Sequence, residues 1–95
     1  MNCIVLHVWY ACRPGGAEGF IRALKDGGVQ ETVRAEDGCL RYDYHLSREA
    51  ADTVVLLEQW RDAESLARHL AQPHMEDVAR IKADFVLETR VERFE

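Results

Sequence analysis

The sequence predicts an α+β fold of the ferredoxin-like type, βαββαβ, in which a four-stranded antiparallel sheet carries its helices on one face. Three observations lead to this prediction. Four segments have the alternation or composition of strands, amphipathic helical segments follow the first and the third of them, and a short polar loop joins the second to the third. The length of 95 residues suits a single domain over residues 1–95.

The first strand is predicted for "NCIVLHVWYAC", residues 2–12. One face carries Ile4, Leu6, Val8 and Tyr10, and the other carries Cys3, Val5, His7, Trp9 and Ala11. Both faces are largely apolar, although the helices can cover only one of them. An exposed apolar sheet face usually marks an interface, so we expect a homodimer that packs sheet against sheet.

A helical pattern follows "RPGG", with apolar residues at Ala17, Phe20, Ile21 and Leu24. Val29 and Val33 extend the pattern, but each glycine of the pair Gly27-Gly28 costs a helix about 1 kcal/mol. We therefore expect a helix over residues 16–35 that bends at the glycines.

The second and third strands are predicted for "CLRYDYHL" (residues 39–46) and "TVVLLEQW" (residues 53–60), which form an antiparallel hairpin. Alternation places Leu40, Tyr42, Tyr44 and Leu46 on one face of the second strand, opposite Arg41, Asp43 and His45. On the third strand it places Val54, Leu56, Glu58 and Trp60 together.

The remaining elements are a broken helix and a closing strand. Asp62 is a good N-cap for a helix whose apolar stripe is Ala63, Leu66, Ala67 and Leu70. Pro73 fits the first turn of a new helix, with Met75, Val78 and Ile81 facing inward. The segment "FVLETRVERF", residues 85–94, is the predicted fourth strand.

Composition excludes several classes of partner. The net charge of −5 argues against a nucleic-acid backbone or an anionic membrane surface. The apolar run Cys3–Trp9 is short, contains His7 and has no basic flank, so it indicates a strand and not a signal peptide or membrane span. The three cysteines form neither an even set nor a CxxC pair, which favours free thiols and a cytoplasmic location.

Two stretches carry a family resemblance. "GCLRY" and the pattern formed by Leu56, Glu58, Trp60, Leu66, His69, Leu70, Pro73 and His74 are similar to the antibiotic biosynthesis monooxygenase (ABM) superfamily, particularly its small quinol-monooxygenase-like members. The resemblance covers nearly the whole chain and implies a dimeric α+β barrel. It also implies a pocket inside each protomer, between helices and sheet.

The resemblance implies a monooxygenase that oxidises a quinol or polyphenolic small molecule with O2 and without a cofactor. Such a protein binds a flat aromatic, assists deprotonation and excludes water. The haem-degrading branch has an axial histidine that would fall near Ala79, so haem is not expected. Two alternatives remain open: a small-molecule isomerase with a comparable histidine pair, and a non-catalytic dimeric ligand-binding or stress module.

Strand parity and the family pattern give a candidate pocket wall. Its members are Trp60, Tyr42, Tyr44, Glu58, Leu66, Leu70, Met75 and Val78. The alternative is that Trp60 and the tyrosines simply fill the core. For Glu58 we favour an ion pair with an arginine such as Arg41 or Arg90, because a buried carboxylate must be paired or shift its pKa.

The candidate catalytic residues are His69 and His74, and either could accept a proton near neutral pH. On an unbroken helix a five-residue step rotates by about 140°, which would separate the two rings. Pro73 allows a break that turns both rings toward one cavity. The alternative is a helix-end histidine followed by a capping one. Glu76 and Asp77 complete no known ligand spacing, so no metal site is expected.

Overall fold

The computed structural model describes residues 3–95. In that range the strands are β1 (Ile4–Cys12), β2 (Cys39–Leu46), β3 (Thr53–Trp60) and β4 (Val86–Phe94). The helices there are α1 (Ala17–Asp26), α2 (Val29–Arg34), α3 (Ala63–Leu70) and α4 (Met75–Phe85). The predicted order of elements is confirmed, except that the first helical region is two helices; Asn2, included in the predicted first strand, lies outside the described residues.

The sheet has the strand order β2-β3-β1-β4, and every neighbouring pair is antiparallel. This is the predicted ferredoxin-like α+β arrangement. β1 and β3 occupy its centre, where alternate residues such as Val8 and Leu56 are opposite one another and almost fully buried. The core therefore lies between the sheet and the helices.

The first helical region is divided, not merely bent. Gly28 adopts a left-handed backbone (φ +65°), which glycine reaches without the steric penalty of a Cβ. α1 ends at Asp26 and α2 starts at Val29 as a consequence. The apolar residues of both helices still reach the core, and Phe20 and Val33 are completely buried.

A β-bulge corrects the predicted face of Leu40. Cys39 lies opposite Trp60 and Arg41 opposite Gln59, so Leu40 is an extra residue between two paired positions. Leu40 is 54% exposed, whereas Cys39 packs against the core. The prediction that Leu40 shares the buried face of Tyr42 is wrong because the bulge shifts the alternation by one residue.

The buried side of α3 also differs from the predicted stripe. Ser65, Leu66 and His69 are buried, but Leu70 is 64% exposed. The helix is rotated so that His69, and not Leu70, points into the molecule. The predicted N-cap is confirmed, since the Asp62 side chain accepts a hydrogen bond from the Ser65 N–H.

The two faces of the sheet are covered to different extents. On the face away from the core, Val5, His7, Trp9, Val55 and Leu57 are only half-buried. The Arg90 guanidinium lies 4.1 Å above the Trp9 ring. No helix in the described part of the chain is long and apolar enough to cross a bilayer.

Candidate functional site

Three side chains from separate segments meet beside the end of α3. His69 Nδ1 lies 3.1 and 3.0 Å from the two carboxylate oxygens of Glu36, and His74 Nε2 lies 2.7 Å from Glu36 Oε2. The turn around Pro73 separates α3 from α4 and brings both rings to one carboxylate. His74 is therefore the N-cap residue of α4 without a capping hydrogen bond from its side chain.

The shared carboxylate defines the hydrogen bonding of His69. An ionised carboxylate only accepts hydrogen bonds, so the ring nitrogens that face Glu36 carry the protons. In the neutral His69 ring the proton then sits on Nδ1, and Nε2 has a free lone pair. That Nε2 lies 3.9 Å from Glu58 Oε1. His69 thus lies between two carboxylates, and in the Nδ1-protonated tautomer its Nε2 faces the interior.

Aromatic residues enclose the His69 ring. Trp60 stacks on it with ring centroids 4.5 Å apart and an interplanar angle of 30°, and Tyr42 meets it edge-on at 5.7 Å. His69 is 1% exposed and Trp60 is fully buried. A polar group is held here in a low-dielectric environment, where electrostatic interactions are stronger than in water.

Glu58 has partners that the sequence did not predict. Its Oε1 accepts a 3.0 Å hydrogen bond from Trp60 Nε1, whereas Arg41 pairs with Asp43 and Arg90 stacks on Trp9. The predicted pairing with Arg41 or Arg90 is wrong because both arginines belong to the opposite face of the sheet. Burial raises the pKa of the Glu58 carboxyl, and the hydrogen bond from Trp60 and the electrostatic effect of the nearby His69 only partly oppose this.

Two tyrosines connect this interior to a cleft. The hydroxyl groups of Tyr42 and Tyr44 are 3.1 Å apart. Burial raises the pKa of both phenols, that of Tyr44 to about 12, so both are neutral near pH 7. Tyr44 also borders a cavity of about 210 Å³ between the first two helices and β2. The other residues around this cavity are Ile21, Leu24, Lys25, Gln30 and Glu31.

Salt bridges and a glycine fix the loop that presents Glu36. The next residue, Asp37, accepts hydrogen bonds from Arg61 at 3.2 and 3.3 Å and from Arg68 at 3.3 Å. Gly38 has φ +88°, and a Cβ at this position would overlap Ser65 Oγ. Only glycine satisfies both the backbone and the space, which explains the glycine of the "GCLRY" stretch.

The family follows from comparison with known proteins. The family model described as "Antibiotic biosynthesis monooxygenase" matches residues 3–80. This chain belongs to the ABM family. A relative from Mycobacterium tuberculosis, named "Putative monooxygenase Rv0793", is 40% identical over 58 residues, which are 61% of this chain. The matched part spans 55% of Rv0793, little more than half of its length.

Solved structures agree with this assignment. The chain is similar to Rv0793 with a TM-score of 0.82 and 26% identity, covering 99% of this chain and 94% of that one. It is similar to PA3566 from Pseudomonas aeruginosa with a TM-score of 0.85 and 29% identity, covering 99% and 93%. The ABM fold accounts for the whole β-α-β-β-α-β arrangement described above.

Most of the residues proposed for the ABM pocket wall lie in or against the core beside the histidine cluster. Leu66 and Val78 are buried, and Met75 packs against the core. Leu70 does not belong with them because it faces solvent. Tyr42, Tyr44, Glu58 and Trp60 all lie on the helix-covered face, as strand parity predicted.

The most informative residue of the cluster, Glu36, was missed by sequence reasoning. It stands in the turn before β2, where an acidic residue is usually solvated, and 33 positions separate it from His69. No spacing rule connects them. Tyr10 was also missed as a polar member; burial raises the pKa of its phenol, with Tyr44 and Glu58 adding to the effect.

Proposed function

We propose that this protein is a monooxygenase that oxidises a quinol or related electron-rich phenol with O2, without a cofactor or metal. The observation that carries the proposal is the buried imidazole of His69, held at Nδ1 by Glu36 and enclosed by Trp60 and Tyr42. Membership of the ABM family supports the reaction class. A flat aromatic substrate, O2 and a proton acceptor are all that this chemistry requires.

The proposed reaction starts with proton transfer from the substrate hydroxyl to His69 Nε2. The resulting anion gives an electron to O2, and the enclosed aromatic surroundings keep water from the reactive intermediates. For a hydroquinone the balance closes without an external reductant. One oxygen atom enters the ring to give a hydroxyquinone, and the other leaves as water.

The other residues have supporting roles in this proposal. His74 holds Glu36 through its 2.7 Å contact, and Glu36 in turn fixes the tautomer and orientation of His69. We place substrate entry at the cavity beside Tyr44. Because His69 is only 1% exposed, side chains that enclose its ring must move before a substrate ring can reach Nε2.

We also propose that the protein is a homodimer formed through the open face of its sheet. The half-buried Val5, Trp9, Val55 and Leu57 form an apolar surface there, and covering it would remove that surface from water. The net charge of −5 supports a small molecule, and not a nucleic acid, as the other partner. Sedimentation velocity tests the dimer: a monomer at micromolar concentration would contradict it.

The function is tested by oxygen uptake in metal-free and flavin-free protein with a panel of hydroquinones and anthrones. The His69→Ala variant is the test protein and His45→Ala, which changes an exposed histidine on β2, is the matched control. Consumption by the wild type and by His45→Ala, but not by His69→Ala, supports the proposal. Equal consumption by all three proteins rejects it.

The close packing around His69 favours a second candidate. Two large side chains, Trp60 and Tyr42, fill the space beside it and are almost completely buried. A non-catalytic ligand-binding module would be filled in this way, with the Tyr44 cavity as its binding site. In that case aromatic ligands would protect the protein against thermal unfolding without any oxygen uptake.

A further inference from the structure

The Glu36, His69 and His74 cluster has the composition of a metal site. One ligand atom from each residue, two imidazole nitrogens and one carboxylate oxygen, lies within 4.8 Å of the other two. We propose that these three residues bind a divalent first-row transition-metal ion of the Zn²⁺ type. This goes beyond the oxidation proposed above, which requires no metal, and it runs against the expectation drawn from helical spacing.

The donor set selects the class of ion. Imidazole and carboxylate ligands suit borderline ions such as Zn²⁺, Co²⁺, Ni²⁺ and Cu²⁺, whereas Mg²⁺ and Ca²⁺ favour sites made only of oxygen ligands. Zinc sites with two histidines and one glutamate have an open fourth position. The protein supplies three ligands of this kind from α3, the turn before α4 and the turn before β2.

The distances are close to those of a metal centre. Two ligand atoms that each lie about 2.1 Å from one tetrahedral ion are about 3.4 Å apart. The contacts of Glu36 Oε2 with His69 Nδ1 and His74 Nε2 are 3.0 and 2.7 Å. For these two contacts an ion can replace the hydrogen-bonding protons if the side chains separate by less than about one ångström. The two imidazole nitrogens lie within 4.8 Å of each other, and the ion must hold them at about 3.4 Å.

A second carboxylate stands where metal-binding histidines usually have one. Such a histidine donates its other ring N–H to a carboxylate, which orients the ring and increases its basicity. Glu58 Oε1 is 3.9 Å from His69 Nε2, and Trp60 Nε1 anchors it. Glu58 is mostly buried, so its position is set by packing and not by solvent.

Local charge also favours a cation. Glu36 and Glu58 are mostly buried carboxyl groups, with side chains 10% and 9% exposed. Within residues 3–95 the ion-pair partners of both are histidines alone. Buried negative charge without a fixed cation is unfavourable, and a divalent ion would neutralise it. The His74 side chain, 26% exposed, provides the route of entry.

Metal binding would change the protonation of His69. An ion on Nδ1 displaces the proton there, so the remaining ring proton lies on Nε2 and points toward Glu58. The metal-bound ring then has no free nitrogen to accept a proton. This step rests on the oxidation proposed above: if that oxidation occurs, metal binding inhibits the oxidation.

The binding test uses Co²⁺ as an optical probe on protein that has been treated with a chelator and reduced. We expect one Co²⁺ per chain, with the visible absorption of a low-symmetry nitrogen and oxygen site and displacement by Zn²⁺. Glu36→Gln and His74→Ala should weaken binding by at least about tenfold. His45→Ala and Glu49→Gln, which change exposed residues elsewhere, should leave it unchanged.

Three results would overturn the metal site. They are the absence of saturable Co²⁺ binding, equal affinity in Glu36→Gln and the wild type, and a thiolate-to-cobalt charge-transfer band that assigns the ion to a cysteine. Histidine side-chain NMR of the wild type gives a measurement that does not depend on variant folding: Zn²⁺ must shift His69 and His74 more than His7 and His45. These readouts contain no substrate, so metal binding without oxygen uptake rejects only the oxidation, and uptake without metal binding rejects only the metal site.

Discussion

Each face of the sheet has a tryptophan in contact with a histidine, contributed by α3 on one face and by β1 on the other, but the two pairs have different surroundings. On the covered face, His69 and Trp60 stack with centroids 4.5 Å apart, and His69 lies between two carboxylates. On the open face, His7 and Trp9 are 3.8 Å apart, and the Arg90 guanidinium lies over the indole.

The comparison shows that the residue pair alone does not define a site. Glu36 fixes one nitrogen of His69 and burial excludes water from the ring, so the remaining nitrogen is oriented toward the interior. The pair on the open face is half-buried, and the Arg90 guanidinium lies over its indole ring. Proton transfer is therefore expected on the covered face and association on the open one.

The largest effect is expected when the covered-face histidine is removed. His69→Ala should lower the rate of quinol-dependent oxygen uptake by about 10²-fold or more, because general-base catalysis typically contributes about 10²–10⁴-fold. His7→Ala should alter the sedimentation coefficient, whereas the rate of oxygen uptake measured in the dimer should change little. If the rate of oxygen uptake falls more in His7→Ala than in His69→Ala, the assignment of roles to the two faces is wrong.

Two adjacent leucines on β3 lie on opposite faces of the sheet, so substituting each one compares what the two faces contribute to the free energy of unfolding. Leu56 is completely buried on the covered face, and Leu57 is half-buried on the open face. Leu56→Ala should lower the free energy of unfolding by about 2–5 kcal/mol through loss of buried area and formation of a cavity. Leu57→Ala should cost less than about 1.5 kcal/mol in the monomer.

Urea unfolding at two protein concentrations measures both leucine effects. If the open face forms the dimer, the cost of Leu57→Ala grows with protein concentration, because association stabilises only the wild type. The cost of Leu56→Ala should not depend on concentration in this way. Equal costs at all concentrations would show that the two faces do not differ as described.

Sequence reasoning predicted the buried face of β3 but not the polar contacts within it. The period-two pattern of β3 placed Glu58 beside Trp60 correctly, because alternation is a property of the strand itself. The hydrogen-bond partners of Glu58 depend on the long-range arrangement of α3, which no local pattern specifies. Glu36 was missed for the same reason.

The errors in β2 and α3 have local causes that the pattern conceals. The bulge at Leu40 adds one residue without interrupting the run of strand formers, so alternation appears continuous while the face changes. α3 has only eight residues, and a polar residue, His69, occupies part of its buried side. A hydrophobic stripe therefore pointed to Leu70, which faces solvent.

Two glycine-to-alanine substitutions test whether contact with Ser65 constrains the loop that positions Glu36 on the covered face. Gly38→Ala should destabilise the protein by about 2–4 kcal/mol, since it combines a left-handed backbone with a steric overlap between the added Cβ and Ser65 Oγ. Gly15→Ala is the matched control because Gly15 also has positive φ (+75°) but has no atoms within 4 Å of the added Cβ. Its cost should be about 1–2 kcal/mol, from the backbone alone. Equal losses of thermal stability in the two variants would show that the Ser65 contact does not constrain the loop.

The smallest effect concerns the cap of the helix that carries His69. Hydrogen bonds from the Ser65 hydroxyl and backbone N–H lower the pKa of Asp62 to about 2, so the folded state favours its ionised form. A carboxyl with a lowered pKa stabilises the fold above its ordinary pKa of 3.8, and this contribution is lost as the pH falls toward 2. Asp62→Ser retains a capping oxygen that does not titrate. The Tm difference between the wild type and Asp62→Ser should therefore be constant between pH 5 and pH 7, about one to three units above that ordinary pKa. In acid, the Tm of the wild type should fall relative to that of Asp62→Ser. A Tm difference that does not change down to a pH of about 2 would contradict the charged cap and leave the position of His69 dependent on packing alone.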